Sequence, residues 1–250
     1  MRLAVLTDIH GNLPALEAVL RDLQSQGGAD QHWVLGDLAA HGAFPAECVS
    51  QLQALPNAAF VQGNTDRYLV TGQRGKTPVA TTETYAQHPE NLRRREAVYS
   101  WALERLSFDQ YEFLRGMRHE IELQVPSYGW VIGYHGVPGD DEGMMFPETP
   151  DDEVLDFFAD REGRLGFGGH THRRMDRALV PWRVINPGSV GLSRDLRFAY
   201  YALVDFDGGE VQVNFREVPF DWQAYVEAAR MVNYPDCTFL QEWFDKLPES

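Results

Sequence analysis

Two histidines stand one residue apart behind a pair of glycines in the stretch GFGGHTHRRM, residues 166–175. Gly168 and Gly169 allow the backbone to turn tightly and to approach another group closely. His170 and His172 can then direct two imidazole rings at one centre. A single pair of this kind is also typical of an ordinary polar loop, so its meaning depends on the rest of the chain.

Polar side chains that bind metals follow other apolar, strand-like runs of the sequence. The run RLAVLT is followed by Asp8 and His10, and the run HWVLG is followed by Asp37. The run AAFVQG is followed by Asn64, and the run WVIGY by His135. In an α/β sheet, ligands bind at the carboxyl ends of the strands, so we expect these residues to converge. Each residue alone has a simpler explanation, such as a turn, a helix cap or a hydrogen-bonded core histidine. Their repetition at five strand ends favours one shared site.

The donor set consists of two aspartates, one asparagine and four histidines. It contains no thiolate, which suits Mn, Fe or Zn and differs from a cysteine-rich structural zinc site. Seven ligands are too many for one ion. They suit two ions with a carboxylate between them, and such a pair can activate a water and neutralise a phosphoryl group.

An alternation of strands and helices would position these residues. After the first strand, Leu16, Val19, Leu20 and Leu23 occupy one helix face at positions i, i+3, i+4 and i+7. The β-α-β-α-β order that follows predicts a layered α/β domain. A helical insertion is expected over residues 67–119, where Ser107 and Gln110 have the spacing of a capping box.

The rest of the chain predicts further strands and a helical tail. Strand-like runs are GRLGFGG, WRVIN, YYALVDF and VQVNFREV, and the last two flank a DGG hairpin turn. The tail, residues 221–250, is expected to form two short helices. Its aromatic residues, among them Phe239 and Trp243, would pack on the domain or form a contact in a homo-oligomer.

Composition limits the classes of partner. The 250 residues carry a formal net charge of −15, which makes long duplex nucleic acid an unfavourable partner. No apolar run is long enough to span a membrane, and no signal-peptide pattern is visible. Cys48 and Cys237 lie far apart and do not have metal-ligand spacing, so free thiols in the cytoplasm are expected.

The motif order resembles that of the calcineurin-like metallophosphoesterase family. It reads D-x-H, G-D, G-N-x-D, H and G-H-x-H, and the five blocks lie within residues 8–172. The segment INPGSVG, residues 185–191, is similar to one in small bacterial and archaeal phosphodiesterases of that family. The resemblance implies a single domain over residues 1–250, a four-layer α/β-β/α sandwich of two mixed sheets flanked by helices, with the helical insertion.

The resemblance also implies which residues hold each metal. One ion would be bound by Asp8, His10, Asp37 and His172, and the other by Asp37, Asn64, His135 and His170. Asp37 would bridge the two ions. Mn²⁺ is the expected metal, with Fe, Zn, Ni and Mg as alternatives. The catalytic residues expected beside the metals are Asp37, Asn64, Thr65, Asp66 and His41.

Thr65 departs from the family pattern. Many members have a histidine there, which protonates the leaving oxygen, whereas a threonine hydroxyl donates a hydrogen bond but is a poor proton donor. The leaving group then needs no acid, or another histidine such as His41 serves, or the reaction is slow. We favour the first reading. For His41 itself, an exposed loop residue is the simpler reading.

The function expected is hydrolysis of a phosphodiester or phosphoanhydride in a small, nucleotide-like substrate. A phosphomonoesterase or protein-phosphatase-like enzyme fits the same motifs. A nuclease is disfavoured by the negative charge. A non-catalytic scaffold on the same fold is the alternative from another class, and the complete ligand set argues against it.

Overall fold

The computed structural model describes residues 1–76 and 79–245 and contains two five-stranded sheets. The first sheet has the order β10-β9-β1-β2-β3 and contains β1 (Arg2–Leu6), β2 (Gln31–Leu35), β3 (Ala58–Val61), β9 (Phe198–Asp207) and β10 (Glu210–Pro219). The second has the order β4-β5-β6-β8-β7 and contains β4 (Ile121–Val125), β5 (Gly129–Gly133), β6 (Leu165–Phe167), β7 (Met175–Ala178) and β8 (Arg183–Asn186). Both sheets are mixed, with β1-β2-β3 and β5-β6-β8 parallel and the other pairs antiparallel.

Eight helices connect or follow the described strands. They are α1 (Leu13–Ser25), α2 (Pro45–Gln53), α3 (Asn64–Thr71), α4 (His88–Arg105), α5 (Phe108–Arg115), α6 (Asp151–Asp156), α7 (Trp222–Met231) and α8 (Cys237–Asp245). Helix α1 begins where the Asn12 side chain accepts a hydrogen bond from the Ala15 backbone. Helix α5 begins with the capping box that the sequence predicts, formed by Ser107 and Gln110.

The two sheets pack face to face. Leu3 and Val5 of β1 belong to the same buried cluster as Phe167 of β6 and Ile185 of β8. The alternate residues of β1 point the other way, where Leu6 packs with helix α1. Strand β1 is therefore buried on both sides, which explains its continuous apolar sequence.

A helix also covers the outer face of the second sheet. Val154 of α6 belongs to one buried cluster with Ile132 of β5 and Val184 of β8. The order of layers is thus helix, sheet, sheet, helix, and the predicted four-layer sandwich is confirmed.

The helices after β3 pack against the C-terminal helices. Segment 67–119 contains most of α3 and all of α4 and α5. Trp101 of α4 lies in a buried cluster with Trp222 and Tyr225 of α7 and Leu240 of α8. Within the predicted tail, residues 246–250 lie outside the described residues. None of the described helices combines the length and apolar character needed to cross a bilayer.

Candidate metal centre

The metal-binding side chains predicted from the sequence meet where the carboxyl ends of the two sheets face each other. Asp8 and His10 follow β1, Asp37 follows β2, and Asn64 begins α3 directly after β3. From the second sheet, His135 follows β5, and His170 and His172 follow β6. Two sheets stacked face to face thus contribute ligands from opposite sides.

These side chains form two adjacent groups that could each hold a metal ion. One consists of Asp8, His10 and His172, the other of Asp37, His135 and His170, and within each group the ligand atoms lie within 4.8 Å of one another. Asp37 reaches both groups. Its Oδ2 is 3.7 Å from Nε2 of His10, and its Oδ1 is 3.5 Å from Nε2 of His135.

Backbone carbonyls fix the orientation of three of the imidazole rings. Nδ1 of His10 lies 3.0 Å from the Ala40 carbonyl oxygen, and Nδ1 of His172 lies 2.7 Å from that of Leu192. Nδ1 of His135 lies 2.7 Å from the carbonyl oxygen of Leu35. A carbonyl only accepts hydrogen bonds, so in each neutral ring we assign the proton to Nδ1. Each Nε2 then presents a lone pair to the centre, as metal-binding histidines do.

The Nε2 atoms of these three rings and of His170 face other hydrogen-bond acceptors or have no hydrogen-bond partner among the described residues. Nε2 of His10 lies 3.1 Å from Nε2 of His172, and Nε2 of His135 lies 3.1 Å from Oδ1 of Asn64. Nε2 of His170 is buried and has no hydrogen-bond partner among the described residues. Buried acceptors that face each other need a cation between them. The residues therefore fit divalent metal ions.

The charges of the site lead to the same conclusion. Burial is the largest effect on Asp37 and raises its pKa, but His135, His10 and His170 together outweigh burial and hold that pKa well below its usual range. Burial is the largest effect on His135 and lowers its pKa, but Asp37, Asp8 and the Leu35 carbonyl together outweigh burial and raise the pKa to about 10. Without metal, a proton therefore occupies the Nε2 atom that a metal ion would bind. At His10 burial dominates and lowers the pKa to about 4. A carboxylate that stays charged in a buried site requires positive charge beside it.

Unusual backbone conformations direct the side chains of the site. Six of its residues lie in the left-handed region, with φ angles of 56° at Asp8, 49° at His10, 57° at Asp37, 77° at His41, 63° at His170 and 55° at His172. Residues other than glycine rarely adopt this conformation, which costs on the order of 1 kcal/mol each. Such strain is concentrated at functional sites, and here it turns the chain sharply just after the strands.

Two glycines allow the loops to approach each other. A Cβ atom at Gly63 would collide with Oδ1 of Asp37, and one at Gly169 would collide with Oγ1 of Thr7. The glycines of the G-N-x-D and G-H-x-H motifs thus leave room for the carboxylate and hydroxyl that share the site.

Asp66 lies behind the Asp37 loop. Its carboxylate accepts hydrogen bonds from the backbone nitrogens of Asp37 at 2.7 Å, Leu38 at 2.9 Å and Gly63 at 3.1 Å. The side chain is completely buried, and burial together with Asp37 raises its pKa to about 7. The structure thus places Asp66 where it fixes the loop that carries Asp37.

Thr65 and His41 line the cavity in front of the metal-binding groups. Oγ1 of Thr65 is buried without a hydrogen-bond partner in the described part of the chain, while its backbone nitrogen donates to Oδ1 of Asp37 at 2.9 Å. Nε2 of His41, which is half-buried, lies 3.3 Å from the Tyr99 hydroxyl. Burial and the nearby His10 lower the pKa of His41 to about 3, so its ring is neutral at neutral pH.

Several residues that support or line the site were not predicted to lie there, and Phe239 and Trp243 were expected only to pack on the domain or to form a homo-oligomer contact. Ser189 donates a hydrogen bond from Oγ to the Asp8 carbonyl at 2.8 Å and accepts one from the Leu192 backbone nitrogen at 2.8 Å. The INPGSVG motif, which contains Ser189, is the sequence feature that could have indicated this supporting role. The cavity is also lined by Arg94, Phe239 and Trp243. No motif marks these three residues, because α4 and α8 come together only in the fold.

Comparisons with known proteins place most of the chain in one family. Residues 1–209 match the family model for the calcineurin-like phosphoesterase superfamily domain. The uncharacterized protein MJ0912 of Methanocaldococcus jannaschii is 30% identical over 237 residues, which cover 88% of this chain and 88% of that protein. The crystal structure of the hypothetical protein PH1004 from Pyrococcus horikoshii has a similar fold, with a TM-score of 0.78 and 22% identity over 98% of this chain and 96% of that chain.

A protein whose name gives an enzymatic activity is similar to part of the chain. A symmetrical bis(5'-nucleosyl)-tetraphosphatase of Actinobacillus pleuropneumoniae is 23% identical over 135 residues, which are 53% of this chain and 44% of that enzyme. The family match ends at residue 209, so helices α7 and α8 lie beyond it.

Proposed function

Because this chain belongs to the calcineurin-like phosphoesterase superfamily, we propose that it is a hydrolase with two divalent metal ions that cleaves a phosphodiester or phosphoanhydride bond in a small, nucleotide-like substrate. The observation that carries this proposal is the position of Asp37. Its two carboxylate oxygens point to separate groups of histidines, 3.7 Å from His10 and 3.5 Å from His135.

The ligand sets that we propose are those implied by the family resemblance, and they extend the two groups of the structure by Asp37 and Asn64. Asp8, His10, Asp37 and His172 would hold one ion, and Asp37, Asn64, His135 and His170 would hold the other. Two such ions, with Mn²⁺ the favoured metal for this donor set, supply an activated water and positive charge opposite the phosphoryl group.

The chain's own residues orient the substrate. Thr65 has a buried hydroxyl with no partner among the described residues, and it lines the cavity, so it can donate a hydrogen bond to a phosphoryl oxygen. Asn64 adds an amide next to His135. Asp66 acts as a positioning residue, since its carboxylate holds the backbone of Asp37 and Leu38.

Neither Thr65 nor His41 is a strong proton donor to the leaving oxygen. Thr65 replaces the family's histidine, and His41 is neutral at neutral pH because its pKa falls to about 3. We therefore favour a substrate whose leaving group is stable as an anion, such as a phosphoanhydride or an aryl ester. The partial similarity to a bis(5'-nucleosyl)-tetraphosphatase supports a nucleotide with a phosphoanhydride chain.

The cavity size supports a small substrate. Its volume is about 360 Å³, which lies near the lower end of the range of about 300–1,000 Å³ for small-molecule pockets. The net charge of −15 disfavours long nucleic acid.

The test uses metal-stripped protein refilled with Mn²⁺. Hydrolysis of bis-p-nitrophenyl phosphate, p-nitrophenyl phosphate and diadenosine tetraphosphate is measured side by side, with Asp37→Asn as the inactive variant. Asp141→Asn is the matched control, because Asp141 pairs with Arg67 and belongs to neither of the two metal-binding groups.

We expect metal-dependent cleavage of the diester or the anhydride above the monoester, lost in Asp37→Asn and kept in Asp141→Asn. Faster cleavage of the monoester would replace the proposal with a phosphomonoesterase. Absence of cleavage of all three compounds, with two metals bound, would favour a scaffold.

A further inference from the structure

Helix α8 contributes part of the wall of the cavity that contains the metal-binding groups. His10, Asp37 and His170 line this cavity together with Phe239, Leu240 and Trp243 of α8. Helix α8 lies outside the family match, which ends at residue 209. This wall therefore lies outside the part of the chain that matches the family model.

Packing and an ion pair hold α8 in place. Leu240 is 1% exposed and lies in the buried cluster with Trp101 of α4 and Tyr225 of α7. Asp236, just before α8, forms an ion pair with Arg94 of α4. The position of α8 beside the cavity is thus fixed from two sides.

The side chains of this wall combine aromatic faces with a cation. The rings of Phe239 and Trp243 lie 5.4 Å apart at an angle of 57°. The guanidinium carbon of Arg94 lies 4.0 Å from the centroid of the Phe239 ring. Trp243 remains half-buried beside the cavity, so part of its surface is accessible to a ligand.

We propose that Trp243, Phe239 and Arg94 form a nucleobase subsite that sets the specificity of the metal centre for nucleoside phosphates. A nucleobase has a flat π face that stacks on an aromatic ring and polar edges that hydrogen-bond to charged groups. The cavity wall offers an aromatic face for stacking at Trp243 and charged groups for hydrogen bonding in the Arg94–Asp236 pair. The inference rests on the proposed function in one respect, namely that the phosphoryl group of the ligand binds at the metal centre.

The subsite and the metal centre lie in one cavity of about 360 Å³. A mononucleotide unit can therefore place its base on α8 and its phosphate at the histidines. The Arg94–Asp236 pair can hydrogen-bond to the polar edge of a base, and an alkyl chain has no such edge, which favours a base as the ligand.

The test measures binding to the metal-loaded protein by calorimetry, using two ligands with a P–C–P bond that resists hydrolysis. Adenosine 5′-(α,β-methylene)diphosphate carries the base, and methylenediphosphonate does not. The variants are Trp243→Ala, Trp243→Phe and, as matched control, Trp130→Ala, since Trp130 is 38% exposed on β5 and does not line the cavity.

We expect the wild-type protein to bind the adenosine compound about tenfold more tightly than methylenediphosphonate, because base stacking supplies that factor. Trp243→Ala should lose most of this preference and keep its affinity for methylenediphosphonate, which also shows that the variant is folded. Trp243→Phe and Trp130→Ala should keep the preference. Equal affinity for both ligands in the wild-type protein, or an unchanged preference in Trp243→Ala, would overturn the inference.

This experiment separates the inference from the proposed function. A base preference that depends on Trp243, in a protein that hydrolyses no phosphoester, supports the subsite and contradicts only the hydrolase. Metal-dependent hydrolysis without any base preference supports the hydrolase and overturns the subsite.

Discussion

Nε2 of His10 lies 3.1 Å from Nε2 of His172, although the Nδ1 atom of each ring faces a backbone carbonyl. With protons on both Nδ1 atoms, the two Nε2 lone pairs repel each other. Asp8 stands beside them, with Oδ1 3.3 Å from Nε2 of His172. The fold thus brings together electron pairs that only a cation can stabilise.

Removal of metal should therefore destabilise the protein. At a Mn²⁺ concentration about 100-fold above Kd, bound metal contributes about 2.7 kcal/mol. For a chain of this size that corresponds to a rise in Tm of about 5–10 °C. Thermal unfolding followed by circular dichroism, with chelator and after readdition of Mn²⁺, measures the shift. A Tm that is the same in both conditions would contradict metal binding at this centre.

Replacement of Thr65 by histidine should change how the rate depends on the leaving group. Neither Thr65 nor His41 offers a strong acid at the site, so we expect the wild-type rate to fall steeply as the leaving group becomes more basic. Thr65→His introduces an imidazole where many relatives have one and should flatten this dependence. A series of aryl diesters of graded leaving-group pKa tests this, with Thr65→Ser as control. Equal slopes in the wild type and Thr65→His would show that proton donation there does not limit the reaction.

Loss of Asp66 should weaken metal binding without direct loss of a ligand. Its carboxylate accepts backbone hydrogen bonds from Asp37, Leu38 and Gly63. Removal of such a supporting group typically costs about 10- to 100-fold in metal affinity. We expect this loss for Asp66→Ala in a Mn²⁺ titration, and no loss for Asp176→Ala, whose carboxylate pairs with Arg183 elsewhere. Wild-type affinity in Asp66→Ala would refute the positioning role.

The stability of the metal-free protein should depend on pH through Asp236. Burial raises the pKa of Asp236 to about 6, although Arg94 lowers it in part. In the unfolded chain the pKa of an aspartate is about 3.9, so the folded state binds the proton more tightly. The stabilisation from this proton is complete below about pH 4 and is lost as pH rises through about 6.

Asp236→Asn does not titrate, so its unfolding free energy relative to the wild type should increase between pH 4.5 and 7.5. Urea unfolding of the metal-free proteins measures this difference, and Asp176→Asn controls for the general effect of one charge. If the difference in unfolding free energy between Asp236→Asn and the wild type did not change with pH, the pKa of Asp236 would not be raised in the folded protein.

The parts of the fold that the sequence predicts well are those with continuous apolar strands or local caps. Strand β1 is buried on both faces, so its apolar run is easily recognised, and the Ser107–Gln110 capping box is local in the chain. Strands β4 and β7 were not predicted. In β7 only Met175 is buried, and in β4 polar residues at the second and fourth positions alternate with apolar ones, so neither sequence has a continuous apolar run.

The metal-binding residues could be predicted because each comes directly after a strand. Their convergence follows from the parallel order of strands and is a property of the fold class. The positions of Arg94 and Trp243 could not be predicted in the same way. They depend on the packing of α8 against α4, which brings together residues far apart in the chain and leaves no local pattern.

The most direct test of the metal centre is the metal content per chain after loading with Mn²⁺ and removal of the excess. We expect about two ions per chain in the wild-type protein and fewer than two in Asp37→Asn, because the Asp37 carboxylate faces both groups of histidines. Asp141→Asn should retain both ions. A single ion per wild-type chain, or full occupancy in Asp37→Asn, would contradict a two-metal centre organised around Asp37.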